Sequence, residues 1–450
     1  MIQKAYKFRI YPNGTQKVFF NKTFGATRFA WNSWVAIFND FNSYNKTTEV
    51  VKEFKTPKEF KQELEWMKEI SSSAIQQKER DFIAFKKQFF NKKRKKSLGR
   101  PQFKHRQQRQ SYRLPNQKFT IDQEVKQIRL EKIGWVKAIF DRVIPLEAKF
   151  INVTISRDLV GDYFVSVLVE EEVKLKNKTN KSIGIDVGLK EFATFSDGTK
   201  IANPRCFRES QSKIKRLSQH LARKKKGSKH RLKVRLRLAK EHRKIARQRD
   251  FFLHNISTYL VSQFDVIAIE DLNISGMLKN HKLAKSIADV SWSEFFKMLE
   301  YKCDWYGKEL RKVDCFFPSS KTCTICGWRK ADLTLKDRVF ICECCGTVED
   351  RDVNASKNIL KESVRVNAEL QTWREGKPVS RGSDAVLSEE ALKKLRIFFY
   401  VFYSYKLVIK MNEYLTILLK KESYNKIRLK LLDEMQHSNQ PPGFNIMEID

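Results

Sequence analysis

Glycine and proline are scarce in this 450-residue chain, at 16 and 10 residues, about half of their average usage. A collagen-like fibre is therefore excluded, and with 41% hydrophobic and 31% charged residues most of the chain is globular rather than disordered. Acidic residues are also few: 52 Asp and Glu stand against 89 Lys and Arg, a formal net charge of +37. A free monomer with that charge repels itself, so a bound polyanion is expected, with nucleic acid the leading candidate. Long apolar runs are missing too. The most apolar stretch, residues 397–419, is interrupted by Lys406, Lys410 and Glu413 and falls short of the roughly 20 apolar residues of a spanning helix. The opening MIQKAYKFRI has no apolar core of signal-peptide length. No membrane partner is expected. The expected location is the cytoplasm, on the nucleoid when DNA is bound.

Of eight cysteines, Cys206, Cys303 and Cys315 are scattered, while Cys323, Cys326, Cys342, Cys344 and Cys345 crowd into 23 residues. Such crowding reads as metal ligation in a reducing compartment rather than as disulfides. The pairs Cys323-x2-Cys326 and Cys342-x2-Cys345, separated by 15 residues, match a ribbon whose two tight turns present four thiolates to one tetrahedral Zn²⁺. Gly327 and Gly346 follow the pairs and let the backbone fold around the sulfur atoms. Cys344 is an extra thiol able to replace Cys345, although the spacing favours Cys345. Four thiolates saturate the metal, so its role is structural.

The length implies two to four domains. Tyr6, Phe8 and Ile10 alternate with Lys7, Arg9 and Tyr11 before Pro12-Asn13-Gly14, which predicts a half-buried strand closed by a turn. From Thr15 to about Phe90 the aromatic residues Phe24, Phe29, Trp31, Trp34, Phe38 and Phe41 fall at helical spacing, a stripe read as core packing rather than a base-stacking platform. Residues 86–113 hold 12 Lys/Arg and no acid. Interleaved with Phe103, His105 and Tyr112, they read as a phosphate-tracking surface with stacking groups. Residues 119–173 return to alternating β-type segments, expected to pair with the first strand as a small barrel. A second basic stretch, 211–250, carries 17 Lys/Arg against Glu241 and Asp250. It predicts two helices broken at Gly227, with Leu217, Leu221, Leu232, Leu236 and Ala239 as a narrow apolar stripe.

Asp186 ends one expected strand, Glu270 ends another, and Asp352 precedes a helix. Singly, each reads as a solvent-facing residue or a cap. Together they fit phosphodiester hydrolysis, which needs carboxylates gathered at the ends of adjacent strands to hold two divalent metals about 3.5 to 4 Å apart. Their order, Asp, Glu, Asp, differs from the Asp, Asp, Glu order of many cut-and-paste transposases.

The segments KAYKFRIYPN, GRPQFKHR, GIDVGLKEFATFSDG, IAIEDLNISGM, SSKTCTICGWR, FICECCG and DRDVNASKNIL, in this order over residues 1 to about 360, resemble the TnpB proteins of insertion sequences, relatives of the compact type V CRISPR effectors. The resemblance implies a multidomain α+β and α/β chain. A wedge β-barrel would be built from 1–13 and 119–173, with a helical recognition insertion over 14–118. A RuvC-like nuclease domain of ribonuclease H fold would span 182–318 and 349–375, and a zinc-ribbon target-binding module 319–348. Residues 376–450 would be a C-terminal extension of uncertain structure. It further implies an RNA-guided DNA endonuclease, with guide RNA and double-stranded target DNA as partners, acting as monomer or homodimer. The implied metal ligands are Asp186, Glu270 and Asp352 for Mg²⁺, with Asp350 the rival of Asp352, and Cys323, Cys326, Cys342 and Cys345 for Zn²⁺. Two other readings stay open: a nucleic-acid-binding regulator of transposition, and a recombinase that joins strands as well as breaking them.

Overall fold

The computed structural model describes residues 1–43, 54–91, 98–172, 175–334 and 337–374. The extension expected over 376–450, the apolar stretch 397–419 and residues 92–97 of the first basic run lie outside them. Contacts divide the chain into two compact units, residues 1–316 and residues from 317 onward.

In the first unit, β1 (Ile2–Tyr11) buries Tyr6, Phe8 and Ile10 and turns Lys7, Arg9 and Tyr11 to the other face, as its alternation predicts. Helices α1 (Gly14–Ser43), α2 (Pro57–Glu63) and α3 (Ser72–Phe89) follow. Thr56 and Glu59 close a reciprocal capping box at the start of α2, with Pro57 in its first turn. The aromatic stripe is core. Phe24, Trp34 and Phe38 are buried, and Trp31 and Phe38 meet Phe82 edge-on at 5.6 and 6.1 Å between ring centres, the geometry favoured by the ring quadrupole. Phe29 stays 42% exposed, and nothing is described for the side chain of Phe41.

Strands β2 (Gln110–Pro115), β3 (Phe119–Asp122), β4 (Gln127–Leu130), β5 (Gly134–Ile139), β6 (Lys149–Arg157) and β7 (Tyr163–Glu171) join β1 in a seven-stranded sheet. Its order is β2-β6-β7-β1-β5-β4-β3, and all its neighbours are antiparallel. The order is linear, with β2 and β3 at its ends, so among the described residues the expected small barrel is a sheet with two edges. The stretch expected to be helical insertion also departs from that expectation. Residues 110–115 are a strand paired with β6, because Gln110, Tyr112 and Leu114 alternate inward. Tyr112 is thus buried under α1 against Phe24 and cannot be a stacking group on the surface, whereas Phe103 is 45% exposed.

A second sheet follows. It comprises β8 (Ser182–Val187), β9 (Glu191–Phe195), β10 (Lys200–Ala202), β11 (Val266–Glu270) and β12 (Glu309–Val313), in the order β10-β9-β8-β11-β12. β8, β11 and β12 run parallel, and β9 and β10 antiparallel. Parallel neighbours need helical crossovers. Helices α4 (Cys206–Arg223) and α5 (Lys229–Gln263) link β10 to β11, and α6 (Ile274–Met277), α7 (Ala284–Val290) and α8 (Trp292–Tyr306) link β11 to β12. Leu253, Leu260 and Val261 of α5 and Phe295 and Leu299 of α8 share one core with Ile183, Ile185, Ile267 and Ile269.

At the N-terminal ends of the parallel strands, the side chain of Lys308 is 1% exposed. It donates to the Asp265 carboxylate at 2.5 Å and to the Asn177 carbonyl at 2.8 Å. Asp265 also accepts from the backbone N–H of Asn180 and Thr179. The Lys308 ammonium and those two amides hold its carboxyl down at about 2. Asp265→Asn leaves the Lys308 ammonium without its counter-charge, and since the carboxylate is itself partly exposed, a loss of about 1 to 2 kcal/mol is expected in denaturant unfolding. A carboxyl lowered on folding stabilises fully above its unfolded value. The wild-type advantage over Asp265→Asn should therefore be complete above pH 4 and disappear between about pH 4 and pH 2.

The second unit holds a short antiparallel hairpin, β13 (Val339–Ile341) and β14 (Val348–Asp350), and one long helix, α9 (Arg351–Arg374). Cys323, Phe340 and Cys342 form one buried cluster there, with Trp328 and Leu333 against them, and Val353, Ala355 and Ile359 of α9 are buried as well. No helix among the described residues is long and apolar enough to cross a membrane.

Candidate functional site

Parallel pairing of β8 with β11 places Ser182 opposite Val266 and continues to Ile185 opposite Ile269. One residue further, the same register sets Asp186 beside Glu270. Adjacent strands lie about 4.8 Å apart and register partners point to the same face, so continuing this register brings residues 84 positions apart in sequence to neighbouring strand ends. Both residues are half-buried. On the outer side of Asp186, β9 places buried Thr194; on the outer side of Glu270, β12 places buried Val313.

Asp352 lies in the second unit, in the first turn of α9, where Arg351 donates to its carboxylate through Nε and Nη2 at 3.2 and 3.0 Å. Asp350 does different work. Its Oδ1 accepts from the backbone N–H of Asp352 and Val353 at 3.0 and 3.2 Å, a cap for amides that have no partner within the helix.

The four sulfur atoms of Cys323, Cys326, Cys342 and Cys345 lie within 4.8 Å of one another. Cys323 and Cys345 are 3.6 Å apart, and Cys326 and Cys342 are 3.5 Å apart. A tetrahedral site with Zn–S bonds of about 2.3 Å has edges of about 3.8 Å, so this donor set fits zinc. The two knuckles repeat one design. Gly327 donates its N–H to the Cys323 carbonyl and Gly346 to that of Cys342, with φ of +78° and +72°, where a Cβ would be strained. Cys345, not the exposed Cys344, completes the group. The hydroxyl and backbone N–H of Thr347 hold the Cys345 thiol down at about 6, ready to ionise and bind metal.

Helices α4 and α5 are separate and flank Gly227, whose φ is +87°. Their apolar contact is not the stripe expected from sequence: Ile214, Leu238 and Ile245 pack with Cys206 and Phe207, while Leu232 and Leu236 are 48% and 38% exposed. Some basic side chains are used inside the unit. Arg243 reaches Asp158 and Asp162, Arg249 reaches Asp289, and Lys213 reaches Glu241. Lys215, Arg216, Lys224, Lys225, Lys226, Lys233, Arg235 and Arg237 are exposed, a cationic surface able to follow a phosphate backbone.

Sequence reading missed Asn354 and Asn358, both buried in α9 and hydrogen-bonded to the first cysteine knuckle. A signal was available, since two asparagines four residues apart inside a helix are poor helix formers and suggest side chains engaged elsewhere.

Comparison with known proteins covers both units. A family model described as "Probable transposase" matches residues 164–281, which include Asp186 and Glu270. One described as "Cas12f1-like, TNB domain" matches 292–359, with the four cysteines and Asp352. A "Helix-turn-helix domain" model matches 1–40, which fold here as β1 and most of α1. A Streptomyces pristinaespiralis protein named "Putative RNA-guided DNA endonuclease" is 35% identical over 378 residues, 82% of this chain and 91% of its own. The Escherichia coli K12 protein named "Putative RNA-guided DNA endonuclease InsQ" is 30% identical over 401 residues, covering 84% and 96%. "TnpB-like protein L79" of Acanthamoeba polyphaga mimivirus is 32% identical over 203 residues, 42% of this chain and 38% of its own. Among solved structures, a Cas12f1–sgRNA–target DNA complex aligns with a TM-score of 0.41 at 15% identity, over 80% of this chain and 98% of that one. With two relatives at 30% identity or more across over four-fifths of its length, the chain belongs to the TnpB family, the insertion-sequence proteins related to Cas12f.

Proposed function

We propose that this chain is an RNA-guided DNA endonuclease of a transposable element, cutting target DNA beside a short flanking motif. The reading is carried by the register of β8 on β11, which runs to Ile185 opposite Ile269 and, continued by one residue, brings Asp186 next to Glu270 at the C-terminal ends of adjacent parallel strands. The strand order β10-β9-β8-β11-β12, with three parallel strands and two antiparallel ones, is consistent with a RuvC-like domain of ribonuclease H fold. Asp352 is the proposed third carboxylate. Asp350 is occupied as the cap of α9, which favours Asp352 over it.

In this reading Asp186, Glu270 and Asp352 hold Mg²⁺. Two such ions, when bound, supply an activated water and stabilise the leaving oxygen of the phosphodiester. The chain's own part is to keep the Asp186 and Glu270 carboxylates fixed on strands and walled by Thr194 and Val313, so that their charge is not dispersed into water. Base pairing with a guide RNA selects the sequence, while the protein holds the heteroduplex by shape and phosphates and reads the flanking motif. The exposed cations of α4 and α5 are the proposed backbone-tracking surface. The seven-stranded sheet, β1 with β2 to β7, is the proposed wedge, and the helical part of residues 14–109 is the proposed recognition insertion. The cysteine ribbon, 319–348, is the proposed target-binding module with structural zinc.

The test is programmable cutting. The full chain, purified with RNA transcribed from the DNA flanking its gene, is expected to cleave a plasmid carrying the matching sequence only when Mg²⁺ is present. Recoding the guide segment should move the cut. A complex that binds the matching plasmid and never nicks it would favour the regulator instead.

A further inference from the structure

In the second unit, two separate stretches of chain are held together by polar side chains that do not ligate metal. Asn354 is fully buried. Its Oδ1 accepts from the Thr324 hydroxyl at 2.5 Å and from the Thr324 backbone N–H at 3.1 Å, and its Nδ2 donates to the Thr322 carbonyl at 2.8 Å. Asn358, one helical turn on, donates to the carbonyls of Thr322 at 2.6 Å and Ser319 at 2.8 Å. Lys361 donates to the Thr324 carbonyl. Thr324 sits between the ligands Cys323 and Cys326, and Asp352 lies two residues before Asn354 in the same helix.

Buried polar groups are costly unless all are paired. Here that requirement ties the knuckle's geometry to the helix's first turn: the Thr324 N–H and the Thr322 carbonyl are correctly placed for Asn354 only when the knuckle is folded. The knuckle is in turn folded around the four sulfur atoms. We infer that Asn354 and Asn358 are positioning residues that lock the turn of α9 bearing Asp352 to the first cysteine knuckle, so that metal held by the thiolates governs how the third carboxylate is presented. The inference rests on the proposed role of Asp352 only for its catalytic consequence; the mechanical coupling stands within the unit itself. By linkage, anything that orders one end favours the other.

Hydrogen exchange on the full chain tests it, read at the backbone amides of Asp352 and Val353, with zinc saturating. Thr324→Val removes the hydroxyl at nearly constant shape and Thr324→Ser retains it, so both should fold, whereas Asn354→Ala leaves buried groups of the knuckle unpaired. Thr324→Val is expected to speed exchange at these two amides by about tenfold, the effect of losing one buried hydrogen bond. Thr324→Ser should stay near wild type. Stripping zinc with a chelator should speed exchange in all three proteins. Exchange unchanged in Thr324→Val, equally fast in Thr324→Ser, or insensitive to zinc removal would overturn the coupling. Cleavage by Asp352→Asn would overturn the proposed role of Asp352 and leave the exchange result standing, so the two failures are distinguishable.

Discussion

Asp186→Asn is expected to lower DNA cleavage by about a thousandfold or more while leaving RNA binding near wild type. The substitution keeps shape and removes one charge from the proposed metal-binding pair. Each factor of ten in rate corresponds to about 1.4 kcal/mol, and losing a metal contact that carries several kcal/mol of transition-state stabilisation gives this scale. Glu270→Gln should behave alike, since Glu270 lies at the corresponding end of the neighbouring parallel strand. A second readout separates lost metal binding from general damage. Mg²⁺ binding only to the folded state should raise the melting temperature of the wild-type complex, and this rise should disappear in both variants. Cleavage surviving in Asp186→Asn would remove the carboxylate pair as the reaction centre. Asp350→Asn is the informative comparison: asparagine still caps a helix, so α9 should hold and cleavage should persist, whereas Asp352→Asn should lose it.

Much of the local structure was legible because it rests on periodicity. The period-two pattern of Tyr6, Phe8 and Ile10 gives β1, and Gly227 between two basic runs marks the break between α4 and α5. The cysteine spacing implies two knuckles, and the structure closes them with Cys345. What periodicity does not carry is register. Asp186 and Glu270 each read as an acid at a strand end, but nothing local says that β8 and β11 are parallel neighbours offset so that those acids meet. That information resides in the long crossover through α4 and α5 and in the isoleucines of both strands packing against one core. Tyr112 shows the same limit from the other side. Within a basic run it looks like a stacking group, yet a three-residue alternation, Gln110, Tyr112 and Leu114, outweighs composition and turns it inward. Leu232 and Leu236 keep helical spacing and remain exposed, because the position of the hairpin contact is set by where α4 ends and not by the spacing itself.

Removing zinc should have an effect of similar size, confined to residues from 317 onward. Among its described residues that unit buries few large apolar side chains, chiefly Phe340 and Ile359, and a core of that size offsets little of the conformational entropy of ordering it. A structural zinc contributes about 10 to 16 kcal/mol in comparable small domains, so a zinc held by these four thiolates would be a large share of this unit's folding free energy. Cys326→Ser or Cys345→Ser is expected to reduce zinc from one equivalent to near zero by elemental analysis. Limited proteolysis should then cut between the knuckles while the sheet carrying β8 and β11 stays resistant, since its core of isoleucines and phenylalanines involves no thiolate ligand. Cleavage should be lost as well, because the first turn of α9 is held by the same knuckle through Asn354 and Asn358. Cys344→Ser provides the contrast: its thiol is exposed and outside the group of four, so zinc content and cleavage should both be retained. If Cys345→Ser kept its metal and Cys344→Ser lost it, the second knuckle would close through the other thiol, and the tetrahedron described by the sulfur positions would be the wrong one.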